Sequence, residues 1–146
     1  MRVTFCGHRR ISDPSSVVNS LKKVVTDLIS EGATEFYLGG YGEFDAFAAR
    51  IVFEMKATHP GITSTLILAY LNQNFDSNYY DGTVYPPLEA VPKKFAIARR
   101  NEWMVDQADV IVAYVTHDFG GAVAMLRYAK RKKKLIISLA QKGFGI

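Results

Sequence analysis

The feature that most constrains this chain is an alternation of short apolar runs with longer segments whose apolar residues recur at helical spacing. Runs rich in β-branched and aromatic residues predict five strands, at 2–6, 35–38, 65–70, 110–115 and 135–139. Amphipathic segments between these runs predict four helices, at 14–31, 44–55, 93–107 and 120–130. Strands and helices in this succession indicate a parallel sheet covered by helices on both faces. We therefore expect an α/β fold, a Rossmann-like three-layer sandwich with a mostly parallel sheet of about five strands.

Length and composition fit one domain of this class. The chain has 146 residues, 49% of them hydrophobic and 22% charged, and no linker divides it, so we expect a single domain over 1–146. No apolar run approaches the ~20 residues of a membrane helix, and the first residues turn polar too soon for a signal peptide. The one cysteine, Cys6, cannot form an internal disulfide. These features predict a cytoplasmic protein with no membrane partner.

The positive charge is concentrated in one place. The net charge is +4, and much of it comes from the run KRKKK at 130–134. Cations at the end of a predicted helix complement the helix dipole and remain solvated. The alternative interpretation is a nucleic-acid patch. Because the other basic residues alternate with acids, we favour the first interpretation and consider a nucleic-acid partner the weaker hypothesis.

Two glycine-rich turns follow predicted strands and lead directly into helices. We call Gly39–Gly42 the first glycine turn and Gly120–Gly121 the second glycine turn. In open parallel sheets, ligands bind beyond the carboxyl ends of the strands. A glycine turn at a helix start presents bare backbone N–H groups and the positive end of the helix dipole, which suit a phosphate. Neither turn matches a dinucleotide-binding G-x-G-x-x-G motif or a P-loop.

Polar side chains near these turns complete the predicted site. His8, Arg9 and Arg99 would supply positive charge, although Arg99 and Arg100 cannot both follow the buried face of their helix. Asn101 lies in an otherwise apolar stripe, so it bonds either a strand-end backbone group or a ligand. The residues predicted to bind the ligand are Gly7, His8, Arg9, Gly39, Gly40, Tyr41, Gly42, Tyr79, Tyr80, Tyr85, Arg99, Asn101, His117, Gly120 and Gly121.

The segment from 71 to 92 lacks a clean period, and its length is typical of a lid or a binding loop. It contains Tyr79, Tyr80 and Tyr85, with an Asp-Gly turn and a stiff Pro-Pro pair near them. Because the segment follows the third predicted strand, we expect at least one of these rings to close over a base. The alternative is that the tyrosines cover a helix or form a subunit contact.

Glu43 and Asp45 are the carboxylates beside the first glycine turn. They are either helix N-terminal acids, or ligands for a sugar hydroxyl, or the catalytic acid and base of an enzyme. The three histidines lack the mutual spacing of a zinc site, and no G-x-S-x-G elbow is present. We therefore expect neither a metal nor a cofactor.

Four blocks together resemble the SLOG superfamily: FCGHR at 5–9, GGYGEFD at 39–45, RRNEWMVD at 99–106 and HDFGGA at 117–122. This superfamily includes the Lonely Guy phosphoribohydrolases and the DNA-processing protein A domain, and the likeness is greatest to small stand-alone bacterial members. The resemblance implies a Rossmann-like fold with a nucleotide pocket at the strand ends, often in a homodimer. Some SLOG domains of bacterial defence systems sense NAD-derived signals.

The resemblance also bears on catalysis. The phosphoribohydrolases carry the motif P-G-G-x-G-T-x-x-E. When this motif is aligned with the first glycine turn, Leu38 stands in place of Pro, Glu43 in place of Thr and Ala46 in place of the catalytic Glu. We therefore expect binding with little turnover: sensing or sequestration of a phosphorylated nucleotide-derived signal, ADP-ribose-like or cyclic, in phage–bacterium conflict, by a homodimer or higher homo-oligomer. The alternatives are a nucleotide phosphoribohydrolase or other N-glycosidase, and a single-stranded nucleic-acid binder.

Overall fold

The computed structural model describes residues 1–140, which form one sheet flanked by helices. All strand pairs are parallel, and the strands lie in the order β4-β3-β2-β1-β5-β6. The strands are β1 (Arg2–Gly7), β2 (Glu35–Leu38), β3 (Thr63–Ile67), β4 (Gly82–Val84), β5 (Val110–Tyr114) and β6 (Leu135–Ser138). The predicted Rossmann-like α/β fold is confirmed, with six strands rather than about five.

The four predicted helices are present. They are α1 (Pro14–Ser30), α2 (Glu43–Met55), α3 (Ala96–Gln107) and α4 (Gly121–Arg131), and short 3₁₀ turns occupy Ser77–Tyr79 and Lys93–Phe95. Helix α1 begins with Pro14, whose fixed φ suits a first helical turn. It ends before Gly32, which has a φ of 107° that a side chain would strain. None of the helices in residues 1–140 has the length and apolar character that crossing a bilayer requires.

Apolar side chains fill both faces of the sheet. On one face, α1 and α2 pack over Phe5, Phe36 and Val112 in one core cluster. On the other face, α3 and α4 pack over Ile67 and Ile111 in a second cluster. Burial on both faces explains why the central strands are continuous apolar runs rather than alternating ones.

The sixth strand, β4, lies inside the segment that lacks a clean period. It pairs with β3 over three residues, and Asp81 fixes its start by accepting a 2.7 Å hydrogen bond from the backbone N–H of Ser64. Lys56, the residue directly after α2, forms a 2.6 Å salt bridge with the same carboxylate. So short a strand carries no period of its own, which is why the sequence predicted only a loop.

The chain path creates a crevice between β1 and β5. Strands β1 to β4 extend the sheet in one direction, and the chain then crosses back to place β5 on the other side of β1. The carboxyl ends of β1 and β5 are neighbours, because Gly7 pairs with Tyr114. In open α/β sheets this reversal of strand order is where ligands bind.

Candidate functional site

A cavity of about 420 Å³ opens at the carboxyl ends of β1 and β5. Its volume lies within the ~300–1,000 Å³ range of small-molecule pockets. Its walls come from the loop after β1, the start of α2, one face of α3 and the turn into α4. Nine residues of the predicted site line it: Gly7, His8, Arg9, Tyr41, Asp45, Asn101, His117, Gly120 and Gly121.

The second glycine turn is open. Gly120 has a φ of 96°, which favours glycine, and Gly121 is the first residue of α4. Apart from its chain neighbours and the backbone of its own helix, a Cβ atom added to either glycine would meet no atom within 4 Å. The first N–H groups of a helix have no intrahelical partner. At α4 these groups belong to the turn that lines the cavity, where Gly120, Gly121 and Ala122 lie.

The first glycine turn is filled by the protein itself. A Cβ on Gly39 would lie 2.8 Å from Cζ of Arg100. A Cβ on Gly40, whose φ is 78°, would lie 2.7 Å from Cδ1 of Leu66 and 3.0 Å from Nε2 of Gln73. These glycines are required by packing, and of this turn only Tyr41 lines the cavity.

Arg100 is the arginine that reaches the strand ends. Its side chain is buried, with Nη1 donating hydrogen bonds to the carbonyl oxygens of Gly39 (2.7 Å) and Ile67 (3.0 Å). Burial lowers its pKa, while the carboxylate of Asp45 acts in the opposite direction. Arg99, the predicted ligand-binding residue, is exposed and lies outside the cavity lining. No local sequence pattern separates Arg100 from Arg99, although Arg100 lies four residues from Ala96 and from Met104, which are also buried.

Asn101 bonds no strand-end backbone group in residues 1–140, and its place in the cavity lining leaves contact with a ligand as a prediction. Its Oδ1 accepts a 3.0 Å hydrogen bond from Nε of Arg100, and the residue lines the cavity. The side-chain oxygen therefore orients Arg100, and the amide nitrogen is the remaining donor.

Asp45 brings a carboxyl group to the cavity from the first turn of α2. Its Oδ1 is shielded from solvent and has no hydrogen-bond partner within residues 1–140. Burial raises the pKa of Asp45 to about 6, although Arg100 and the backbone amides of Tyr41 and Gly39 partly offset this. Such a group can accept a hydrogen bond from a ligand hydroxyl or exchange a proton near neutral pH.

Glu43, the second predicted carboxylate, has a structural contact. Its Oε1 accepts a 2.9 Å hydrogen bond from the backbone N–H of Ile11, and its own N–H donates a 2.8 Å bond to the carbonyl of Arg9. Both contacts fix the loop after β1 against α2. Glu43 does not line the cavity that the described residues form.

Three rings stack along the cavity wall. His8 and His117 lie 3.7 Å apart between ring centroids, and Phe119 lies 4.1 Å from His117. Nε2 of His8 accepts a 2.8 Å hydrogen bond from the backbone N–H of Thr116, which assigns the proton of the neutral ring to Nδ1. Burial, and secondarily His117, lowers the pKa of His8. Sequence reasoning missed Phe119, whose signal is an aromatic residue directly before a glycine pair.

Solved structures of known proteins share this architecture. The structural-genomics target TM1055 matches 92% of the chain at a TM-score of 0.65 and 17% identity, with 71% of that protein covered. DNA processing protein A from Helicobacter pylori, described for its single-stranded DNA binding mode, matches 97% of the chain at a TM-score of 0.69 and 19% identity. The match covers 66% of that protein. The molybdenum cofactor carrier protein of Chlamydomonas reinhardtii matches 96% of the chain at a TM-score of 0.62 and 15% identity. The match covers 78% of that protein. A scan against protein-family models gives no match, and neither does a search of curated proteins.

The chain has a SLOG-type Rossmann-like fold. This confirms the resemblance stated from the four sequence blocks. At identities of 15–19% the likeness establishes the fold alone. DNA processing protein A from Streptococcus pneumoniae is a further neighbour, and the chain spans only 49% of its length.

The tyrosines of the predicted lid lie elsewhere on this SLOG fold. Tyr79 packs edge-on against Phe53 of α2 at 5.4 Å, and Tyr80 packs against Phe75 at 6.2 Å. Tyr85 is half-buried beside β4. None of the three lines the cavity formed by residues 1–140. The contact of Tyr79 with Phe53 matches the alternative in which the segment covers a helix.

The basic run lies at the opposite end of α4 from the second glycine turn. Lys132 is 3.8 Å from a carboxylate oxygen of Asp106, and its ammonium group lies over the ring of Tyr128. Lys134 donates a 3.2 Å hydrogen bond to the carbonyl of Asp106. These cations therefore complement the carboxyl end of the helix, away from the cavity.

Residues 1–140 contain neither a cluster of metal ligands nor a reactive thiol. No cluster of three His, Cys, Asp or Glu side chains lies there close enough to hold a metal ion. Cys6 is buried beside the cavity and its Sγ donates a 3.1 Å hydrogen bond to the carbonyl of Ala122. Burial raises the pKa of the Cys6 thiol far above its ordinary value. A neutral thiol is a poor nucleophile, so this cysteine acts as a core residue.

Proposed function

We propose that this chain binds a phosphorylated, nucleotide-derived ligand in the cavity between β1 and β5. The observation that carries the proposal is the open second glycine turn, where Gly120 and Gly121 line the cavity at the start of α4 with free space beside them. Backbone N–H groups and the positive end of the helix dipole together favour a phosphate. Gly120 and Gly121 would hold that phosphate.

The charges around the cavity support an anionic ligand. Arg9 and Arg10 are exposed and line it, and Arg100 lies at its base. The guanidinium of Arg100 is committed to two carbonyl oxygens, so the two exposed arginines are the ones available for a phosphate. Arginine forms bidentate hydrogen bonds with phosphate oxygens. In the assembled site these side chains would approach the ligand from the loop after β1.

Asp45 supports a ligand that carries a hydroxyl group. A shielded carboxylate oxygen without a partner is costly unless a ligand group satisfies it. A sugar hydroxyl is the hydrogen-bond donor that accompanies a phosphate in a nucleotide. Asp45 would therefore accept from the ribose, while Glu43 holds the neighbouring loop.

The structural neighbours agree with a binding role in general terms. One is a carrier of the molybdenum cofactor, and another binds single-stranded DNA. From these neighbours and the cavity we infer a binding protein that senses or sequesters a nucleotide-derived signal, ADP-ribose-like or cyclic. A cytoplasmic homo-oligomer acting in phage–bacterium conflict is the setting that we propose for it.

The first experiment is native mass spectrometry of the protein purified from cells. We expect a co-purified nucleotide in the wild type and its loss in Gly121→Val, whose side chain would occupy the phosphate position. Gly61→Val is the matched control, because Gly61 also has open space around it but lies in the turn after α2. If neither nucleotides nor ribose 5-phosphate bind at millimolar concentration, the proposed function is wrong.

A second candidate function is an N-glycosidase, and the pKa of Asp45 is the observation that favours it. A carboxyl group with a pKa of about 6 is suited to proton transfer near neutral pH. Incubation with AMP and with NAD, followed by chromatography of the free base, tests this. Steady release that Asp45→Asn abolishes and Glu43→Gln retains would establish the enzyme, and absence of release supports binding alone.

A further inference from the structure

The three stacked rings end in an exposed aromatic face. His8 is buried and held by the N–H of Thr116, His117 covers it, and Phe119 covers His117. Phe119 is 67% exposed, against 50% for Phe95 and 43% for Phe53. Of the exposed phenylalanines in residues 1–140, it is the one that lines the cavity.

We propose that Phe119 is a stacking platform for a nucleobase, so that the ligand is a nucleotide with its planar base rather than a bare sugar phosphate. One face of the ring lies against His117, and the exposed fraction leaves the other face for a ligand. Aromatic rings stack on bases in an offset geometry, and each base offers a π-face. The platform is therefore tolerant of base identity.

The position of Phe119 relative to the second glycine turn fits a single nucleotide. Phe119 precedes Gly121 by two residues, and two residues of chain span at most ~7 Å. A base and its 5′-phosphate are separated by one ribose, which is a comparable distance. A base on Phe119 would therefore allow its own phosphate to reach the N-terminus of α4.

The buried end of the stack keeps the platform in place. The hydrogen bond from Thr116 requires Nε2 of His8 to be unprotonated, so a neutral ring lies under His117. The lowered pKa of His8 maintains that state at neutral pH. Two stacked rings that were both charged would repel each other. His8 is thus a positioning residue, and Phe119 is the residue that touches the base.

Calorimetry with three probes tests the platform, which rests on the proposed phosphate site at Gly120 and Gly121. AMP carries base and phosphate, ribose 5-phosphate lacks the base, and adenosine lacks the phosphate. We expect Phe119→Leu to weaken AMP and adenosine binding about fivefold or more and to leave ribose 5-phosphate unchanged. Phe119→Trp should retain AMP binding, because it keeps a stacking face.

The variant Gly121→Val separates the two proposals. It should weaken AMP and ribose 5-phosphate while leaving adenosine unchanged. Phe95→Leu is the matched control, since Phe95 is an exposed phenylalanine outside the cavity lining. If Phe119→Leu weakens all three probes equally, or none, the platform is wrong and the phosphate site stands. If neither ribose 5-phosphate nor any nucleotide, AMP and ADP-ribose included, binds the wild type at millimolar concentration, the proposed function fails and the platform fails with it.

Discussion

The two glycine turns occupy equivalent places at the carboxyl edge of the sheet, yet they have different physical roles. At the first turn, Arg100 and Gln73 fill the space that side chains at Gly39 and Gly40 would need. At the second turn, a Cβ atom on Gly120 or Gly121 would have no atom within 4 Å apart from its own chain neighbours and the backbone of its helix. A glycine pair after a strand can therefore have either of two roles. It allows other residues of the protein to pack closely against the backbone, or it leaves space that a ligand can occupy.

The source of the difference is helix α3. It lies on the same face of the sheet as α4 and sends Arg100 to the carbonyl groups of Gly39 and Ile67. These strand-end carbonyls are satisfied by that guanidinium, whereas the amides at the start of α4 lie beside the cavity. Substitutions at the first turn should therefore change folding stability, and substitutions at the second should change ligand affinity.

The largest effect is expected for Arg100→Met. It removes the hydrogen bonds to two buried carbonyl oxygens and leaves Asp45 without its cationic neighbour. Loss of one partner from a buried charged network costs about 3–5 kcal/mol. Urea unfolding should report that loss in the free energy of unfolding. Arg99→Met is the control, and as an exposed change it should stay within ~0.5 kcal/mol. Equal effects of the two substitutions would contradict the assignment of Arg100.

The next effect compares the turns directly, through Gly40→Ala and Gly121→Ala. The first combines a φ of 78° with a Cβ 2.7 Å from Leu66, so strain and overpacking together cost roughly 2–4 kcal/mol. The second places alanine in open space at the first helical position, so stability stays level or rises by up to ~1 kcal/mol. Thermal and urea unfolding measure both. A large loss in Gly121→Ala would mean that the second turn is also structural.

These contrasts show what the sequence could predict. The alternation of strands and helices predicted the fold class, because burial on both faces of a parallel sheet produces continuous apolar runs. The glycine turns were found for the same reason, since they interrupt the pattern at the strand ends. What differs between them is contact with residues distant in sequence, such as Arg100 with Gly39, and local patterns carry no such information.

The choice between Arg99 and Arg100 has the same origin. Adjacent helical residues differ by about 100° around the axis, so only the exact rotation of α3 decides which one is buried. The short β4 and the contacts of Tyr79 depended likewise on tertiary packing. Phe119 was recognisable in principle as an aromatic residue before a glycine pair, but its exposure is a property of the folded chain.

A smaller effect concerns the pH dependence of stability. Burial raises the pKa of Asp45 from 3.8 to about 6, so the folded state binds this proton more tightly than the unfolded state. The protonated carboxyl therefore favours folding at about pH 4, and that contribution is lost as the pH rises through 6. The free energy of unfolding of Asp45→Asn, relative to wild type, should rise by roughly 1–3 kcal/mol between pH 4 and pH 7.

The control for this titration is Asp118→Asn, because Asp118 is exposed on the same edge of the sheet. It removes one negative charge from that edge and so controls for the change in net charge. A flat profile for Asp45→Asn would show that water or a conformational change solvates the carboxylate, and the role of Asp45 as an unsatisfied acceptor would then be wrong.

The smallest effect is expected at the far end of α4, where the triple substitution of Lys132, Lys133 and Lys134 by Ser tests whether the two ends of this helix act independently. The run lies opposite the second glycine turn, with Lys132 and Lys134 already in contact with Asp106. AMP affinity should therefore change by less than about twofold, since exposed charges beyond a Debye length of ~8 Å are largely screened at physiological salt.

Binding of single-stranded DNA by the wild type should be weak, and the logarithm of its affinity should fall linearly with the logarithm of the salt concentration. In the triple variant this binding should disappear. Tight DNA binding that survives about 150 mM salt and instead depends on Gly121 would move the nucleic acid into the cavity. The open turn would then hold a phosphate of a strand rather than of a free nucleotide, and the contrast between the two glycine turns would remain while the ligand changed.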